Sequence, residues 1–364
     1  MAALDGLRAF AVIAVIVCHT LEVPWPFVQN MANAGWVGVD LFFVLSGFLI
    51  TGILLDSKGA TRFFRNFYIR RTLRIFPLYY AVLITALVIA PHVLPVDGGE
   101  RAILDKQGWL WFYAQNIEQL RANRNAWHAG WLQLTHLWSL SVEEQFYVVW
   151  PTVVFLTSRR ALVAVAMAIV VGAPLLRVAL LRSGTVPECI YTFTPCRLDT
   201  LAVGALLAML VRSRPELAPK VCRALLALGG AGVLAIAIAT GGFVGTNGVV
   251  QTVGYSAVAL LFGGVVLGAA LPEARHRLLV HPILTTIGRY SYGIYLLSYV
   301  CDPMFQRIFH GDRVARLLHS HAAASAAFMI FEIAASTGLA AITWNLFEKR
   351  FLALKDRWAP VARA

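Results

Sequence analysis

Apolar stretches of eighteen or more residues recur along this chain, and a chain so written has few structures open to it. In a hydrocarbon layer every backbone N–H and C=O must be paired internally. Repeated long apolar runs therefore dictate a bundle of membrane-crossing helices. The composition agrees: 59% of the 364 residues are hydrophobic and only 14% are charged, where a soluble domain carries about 25% charged residues. The expected fold is all-α, a polytopic membrane helical bundle of about ten transmembrane helices. The spans fall at roughly 5–23, 35–55, 75–95, 137–157, 161–182, 195–212, 223–240, 248–270, 283–302 and 323–347. The first run has Asp5 in place of a basic leader and lacks a small-residue cleavage site, so it is expected to remain as a span. With no repeat and no low-complexity segment, residues 1–364 are expected to form one integral-membrane domain without a soluble C-terminal domain.

A net charge of +12 would suit a nucleic-acid partner, but its distribution points elsewhere. Lys and Arg cluster in alternate loops, as the positive-inside rule requires. The densest group, Lys58, Arg62, Arg65, Arg70, Arg71 and Arg74, lies between spans two and three and is assigned to the cytoplasm. Arg275 and Arg363 fall on the same side, and both termini then face the cytoplasm. Residues 60–74 mix aromatic and basic residues at helical spacing, which suggests an amphipathic segment on the inner surface before span three. The outward loop 96–135 carries Trp109, Trp111, Phe112, Tyr113, Trp127 and Trp131, suited to an interfacial aromatic belt or to a platform for a sugar ring. The five cysteines show no metal spacing; Cys189 and Cys196 could pair or remain free thiols.

Arg8 and His19 stand in the first span with ten residues between them. Ionisable groups in such a setting are costly and count as functional candidates. Eleven steps of about 1.5 Å set them roughly 16 Å apart along one helix. His19 has two readings, a bundle histidine satisfied by hydrogen bonds and a general base matched to neutral pH. Asp40 in span two and His136, Glu143 and Glu144 in span four fall in the outer half of their spans, at a depth like that of His19. Such a gathering suggests a shared polar cavity. Arg70, Arg71 and Arg74 serve equally as topology signals or as a phosphate clamp, since arginines three apart on a helix share a face. A CoA thioester is a donor of that chemistry. Ser46–Gly47 is first a close-packing pair and only secondarily a nucleophile site, for want of an elbow signature. Arg197 and Asp199 read as a structural pair.

Arg-x10-His in span one, VDLFFVLSGFLIT in span two, IRRTLRIFPLYY entering span three and HLWSLSVEEQFYVVWP in span four together resemble the integral-membrane acyltransferase family 3. RLDTLAVGALLAML, GRYSYGIYLLS and NLFEKRFL extend the resemblance over essentially the whole chain. These enzymes O-acylate lipopolysaccharide, peptidoglycan, exopolysaccharide, nodulation factors and macrolides. The resemblance implies acyl-CoA as donor, acetyl by default, no metal, and an extracytoplasmic glycan or other hydroxyl as acceptor. It also implies the bacterial cytoplasmic (inner) membrane as location and no nucleic acid among the partners.

Carried onto this chain, the essential pair is Arg8 with His19 and the Arg-x-x-Arg element is Arg71 with Arg74. The chain departs from the pattern at Ser298, where relatives often have His, and at Arg350, where they often have Pro. The expected chemistry has the nucleotide end of the donor at Arg71 and Arg74, with Arg8 and Arg70 assisting. His19 is the base, with Asp40, Glu144 or Glu143 as the acidic partners, and His136 and Ser46 line the substrate cavity. Direct attack is preferred and an acyl-His19 intermediate stays open. The rival class is a transporter of small acids or glycans, against which stands the lack of an inverted repeat.

Overall fold

The computed structural model describes residues 2–271 and 277–359; Arg275 and Arg363 lie outside them. The chain runs α1 (Ala2–Thr20), α2 (Pro26–Asn33), α3 (Val37–Ser57), α4 (Phe63–Leu83), α5 (Gly98–Leu104), α6 (Gly108–Trp111), α7 (Gln115–Ala122), β1 (His128–Ala129), β2 (Leu132–Gln133), α8 (Trp138–Leu156), α9 (Arg159–Arg182) and α10 (Pro187–Thr192). It continues through α11 (Leu198–Ser213), α12 (Ala218–Thr240), α13 (Tyr255–Ala270), α14 (Pro282–Phe309), α15 (Gly311–Leu318), α16 (His321–Thr343) and α17 (Lys349–Trp358). All ten expected segments are helical. Among the described residues, seven helices are long and apolar enough to cross a membrane. The other three, α8, α11 and α14, fall short for a physical reason: α11 has 16 residues, while Glu143 and Glu144 dilute α8 and a series of Ser and Tyr dilutes α14.

Helix α3 is the hub, and α9, α12 and α16 form an outer ring that turns Val171, Leu234, Ile330 and similar side chains outward. Two glycines let α3 and α11 touch backbone to backbone. A Cβ on Gly47 would lie 2.0 Å from the Leu201 carbonyl oxygen, and one on Gly204 would lie 2.2 Å from that of Val44. Charges inside such a bundle are costly and are most often paired. Arg197 Nη2 donates to Asp40 Oδ1 at 2.6 Å, and both side chains are fully buried. Arg177 donates from both terminal nitrogens to Asp199 Oδ2 at 2.9 Å. These pairs fasten α3, α9 and α11 together, and Ser256 of α13 donates to the same Asp199 oxygen.

Two expectations need correction. Residues 60–74 do not form a separate surface segment, because α4 starts at Phe63 and runs on through a π-helical turn at Ile84–Ile89 and a 3-10 turn at Ala90–His92. Phe63 and Phe67 are buried in the core, and the Phe63 ring packs on Phe155 of α8 with centroids 5.3 Å apart, so the helix enters the bundle at its first turn. The loop 96–135 is not an open platform, although Phe112 stays exposed. It folds as α5–α7 and the β1–β2 hairpin around a fully buried Trp127, over whose ring the Lys106 ammonium sits at 4.3 Å. Tyr79 of α4 donates to the Leu110 carbonyl at 2.8 Å and Gln145 of α8 to that of Tyr113 at 2.8 Å, which ties this cap to the bundle. All five cysteines are free thiols, and Cys189 donates to the Gln119 carbonyl.

Candidate active site

Two cavities lie one above the other in the bundle. The first, about 100 Å³, is lined by Arg8 of α1, Ser46 of α3, Arg71 and Arg74 of α4, and Ser139, Glu143 and Tyr147 of α8. Glu143 and Tyr147 are four residues apart and so share one face of their helix. Ser46 Oγ donates to Glu143 Oε1, and Tyr147 donates to Ser46 Oγ at 3.1 Å. The Arg71 guanidinium lies over the Tyr147 ring at 5.1 Å, and Arg8 pairs with Asp5 at 2.7 Å. Three guanidiniums against two carboxylates leave the chamber net positive. Planar forks of this kind recognise phosphate.

The second cavity, about 370 Å³, is lined by His19 and Cys18 of α1, Trp36, His136, Asn125 and Tyr299, among others. The His19 ring meets Tyr299 edge-on with centroids 5.2 Å apart, and Tyr299 also packs on His136 at 4.9 Å. The Nε2 of His136 lies 3.2 Å from the Leu296 carbonyl oxygen, which assigns the proton to that nitrogen. Nδ1 of His136 has no partner among the described residues. His19, at the end of α1 and facing this space, makes no side-chain hydrogen bond among them either. An imidazole so placed is free to take a proton from a hydroxyl brought into the chamber.

The chambers share Val39 and Tyr295 as lining residues. Tyr295 is held there by two contacts, the Ser139 hydroxyl at 2.7 Å and the His136 carbonyl at 3.1 Å. Phe42 packs against its ring edge. The wall between an arginine-lined space and an imidazole-lined space is thus one side chain thick.

The expected site residues divide accordingly. Arg8, Ser46, Arg71, Arg74 and Glu143 meet in the first chamber, His19 and His136 in the second. Asp40 reaches neither: its carboxylate is taken by Arg197 and by the Thr200 hydroxyl at 3.3 Å, so it is not the group that orients His19. Glu144 is buried on another face of α8, among Tyr79, Tyr113 and Tyr292, and is likewise removed from His19. Arg70 turns to the Ala359 carbonyl at 3.0 Å. Ser298 is buried with its hydroxyl on the Tyr295 carbonyl, while Tyr295 and Tyr299 face the chambers. Tyr147, Ser139, Tyr295 and Tyr299 were not among the expected residues. The spacing of Tyr292, Tyr295 and Tyr299, at i, i+3 and i+7 on one helix face, is the signal that marks the two on α14, whereas no such spacing marks Ser139 or Tyr147.

The architecture is that of a multi-pass membrane protein with a divided polar core. Residues 1–344 match the family described as an acyltransferase domain, and the chain belongs to that family. It is 33% identical over 316 residues to the peptidoglycan O-acetyltransferase OatA of Listeria monocytogenes, covering 81% of this chain and 48% of OatA. It is 34% identical over 220 residues to YrhL of Bacillus subtilis, provisionally named a peptidoglycan O-acetyltransferase, covering 57% of this chain and 32% of that protein. The chain thus spans half or less of the length of these curated relatives. No solved structure matches it.

Proposed function

We propose that the chain is a membrane O-acyltransferase that carries an acyl group from cytoplasmic acyl-CoA to a hydroxyl of an extracytoplasmic glycan. The observation that carries this reading is the pair of chambers, cationic on one side of Tyr295 and imidazole-lined on the other. Relatives named as peptidoglycan O-acetyltransferases favour acetyl as the group and a glycan as the acceptor. With both termini cytoplasmic, as the positive-inside rule favours, the arginine chamber opens towards the compartment where CoA thioesters are made.

The phosphates of the donor dock on Arg71 and Arg74, with Arg8 beside them, and the pantetheine arm passes Val39 and Tyr295 into the second chamber. There the acceptor oxygen attacks the thioester carbon while its proton passes to His19. The C–S bond then breaks, and the departing CoA thiolate takes that proton back from the imidazolium. Holding both reactants in one chamber lowers the barrier through proximity, and a general base contributes about 10²–10⁴-fold. The fixed Nε2–H of His136 keeps that ring in place beside His19.

The test is purified protein in nanodiscs with radiolabelled acetyl-CoA and a glycan extract. Acceptor-dependent thioester breakdown is expected for the wild type and is expected to be lost in His19→Ala at unchanged protein yield. Normal transfer by a well-folded His19→Ala would remove the base from this scheme. The transporter reading has no observation of its own in its favour.

A further inference from the structure

Helix α14 has a second working face. Tyr295 and Tyr299 point into the chambers, whereas Leu297, Val300 and Met304 line a separate cavity of about 530 Å³ whose opposite wall is α4 and its π-helical continuation. This wall extends from Leu78 of α4 through its π-helical and 3-10 continuation to Leu94, sixteen steps or about 24 Å at a mean helical rise. Ala81, Ala86 and Ala90 keep its floor low. A space so elongated and so nearly aliphatic fits an extended hydrocarbon chain and not a compact polar ring. It is longer than half of the ~30 Å hydrocarbon core of a bilayer.

One end of this groove is polar. Arg307 lines it there with Gln133 and Trp131. The Arg307 side chain is exposed and has no hydrogen bond or ion pair among the described residues. Trp131 is fixed by its N–H on the Pro95 carbonyl at 2.7 Å. The same end adjoins the His19 chamber through the hairpin. Strand β2 supplies Leu132 and Gln133 to the groove, and two residues later Thr135 and His136 line the chamber. Two residues of chain span at most about 7 Å. Along α14, Arg307 stands eight residues, about 12 Å, past Tyr299, whose ring meets His19, so a short glycan held by its phosphate at Arg307 reaches His19.

We propose that this groove seats the hydrocarbon anchor of a lipid-linked acceptor: a glycan joined through phosphate to a single long polyprenyl-type chain. Arg307 takes the phosphate, the chain lies along α4, and the glycan bends over the hairpin into the His19 chamber. A two-chain glycerolipid would leave its second chain outside the groove. The inference rests on the acyl-transfer reading of that chamber and names the form in which its acceptor arrives.

The experiment uses the full chain in nanodiscs and a diazirine-bearing polyprenyl-phosphate-linked N-acetylglucosamine. Crosslinks are expected within 78–94 and 297–307, displaced by unlabelled polyprenyl phosphate and not by phosphatidylglycerol. In parallel, acetyl transfer is measured to the lipid-linked sugar and to a soluble oligosaccharide. Ala86→Trp, which fills the groove, and Arg307→Glu, which is exposed and leaves the core alone, are each expected to lower transfer to the lipid-linked sugar about tenfold, or ~1.4 kcal/mol. Transfer to the soluble acceptor is expected to stay at the wild-type rate. Equal displacement by phosphatidylglycerol, or undiminished lipid-linked transfer in both variants, overturns the proposal. A wild type that transfers to neither acceptor instead refutes the acyl-transfer reading, and the crosslinking still decides whether the groove takes the lipid.

Discussion

Asp40 is the residue whose role the structure changes most, and its replacement gives the sharpest stability prediction. Asp40→Ala removes the partner of a fully buried guanidinium. Nε and Nη1 of Arg197 have no hydrogen bond already, and what would remain around its charge are the rings of Tyr255 at 4.1 Å, Tyr191 at 5.0 Å and Phe43 at 5.9 Å, with Asp199 already held by Arg177. Breaking a buried ion pair by removing one side costs about 3–5 kcal/mol. That corresponds to roughly a 10²–10⁴-fold fall in the folded-to-unfolded ratio. The double variant Asp40→Leu/Arg197→Met removes both charges and is expected to recover most of the loss, because a buried pair replaced by apolar side chains is often neutral. The assay is unfolding by SDS titration in mixed micelles, with acetyl transfer by the folded fraction read alongside. Transfer per folded molecule is expected to hold near wild type. Native-like stability in Asp40→Ala together with lost transfer would show that Asp40 acts in catalysis after all and would refute the argument from its ion pair.

Further outcomes follow from the contacts described. Gly47→Leu places a side chain where the Leu201 carbonyl lies 2.0 Å from the Cβ position; α3 and α11 must separate, and a steep fall in folded yield by size-exclusion chromatography is expected, whereas Gly59→Ala, in open space, pays only for its positive φ. Arg71→Ala and Arg74→Ala are expected to raise the KM for acetyl-CoA about tenfold or more each, as for the loss of a charge-assisted phosphate contact, with kcat largely kept. A fall in kcat at constant KM would mean that these arginines do not hold the donor.

The membrane architecture was legible because lipid leaves so few alternatives: long apolar runs placed helices at every expected segment. What pattern reading missed lies where tertiary packing decides. The basic, aromatic start of α4 has the composition of a surface helix, yet Phe63 finds a partner on α8, Phe155, that only the folded bundle supplies. Depth along a span put His136 rightly with His19 but not Glu143, which meets Arg8 in the other chamber, and depth says nothing of azimuth. Asp40 was expected beside His19 and turns to Arg197. Glu143 and Glu144, neighbours in sequence, diverge to different faces of α8, as adjacent residues on a helix must. Pairing of Arg177 with Asp199 and of Arg197 with Asp40 exchanges partners across three helices, which no local spacing encodes. The tyrosine face of α14 was periodic enough to find, and its meaning came only from the two cavities it divides.

The central claim is that donor and acceptor enter from opposite sides of the Tyr295 wall. It is tested most directly in proteoliposomes of a single orientation, with radiolabelled acetyl-CoA and the glycan acceptor each supplied either inside or outside. The account predicts transfer when the two are on opposite sides, with acetyl-CoA on the face of Arg8, Arg71 and Arg74, and little when they share a side. Equal transfer with both reactants on the arginine face would contradict it.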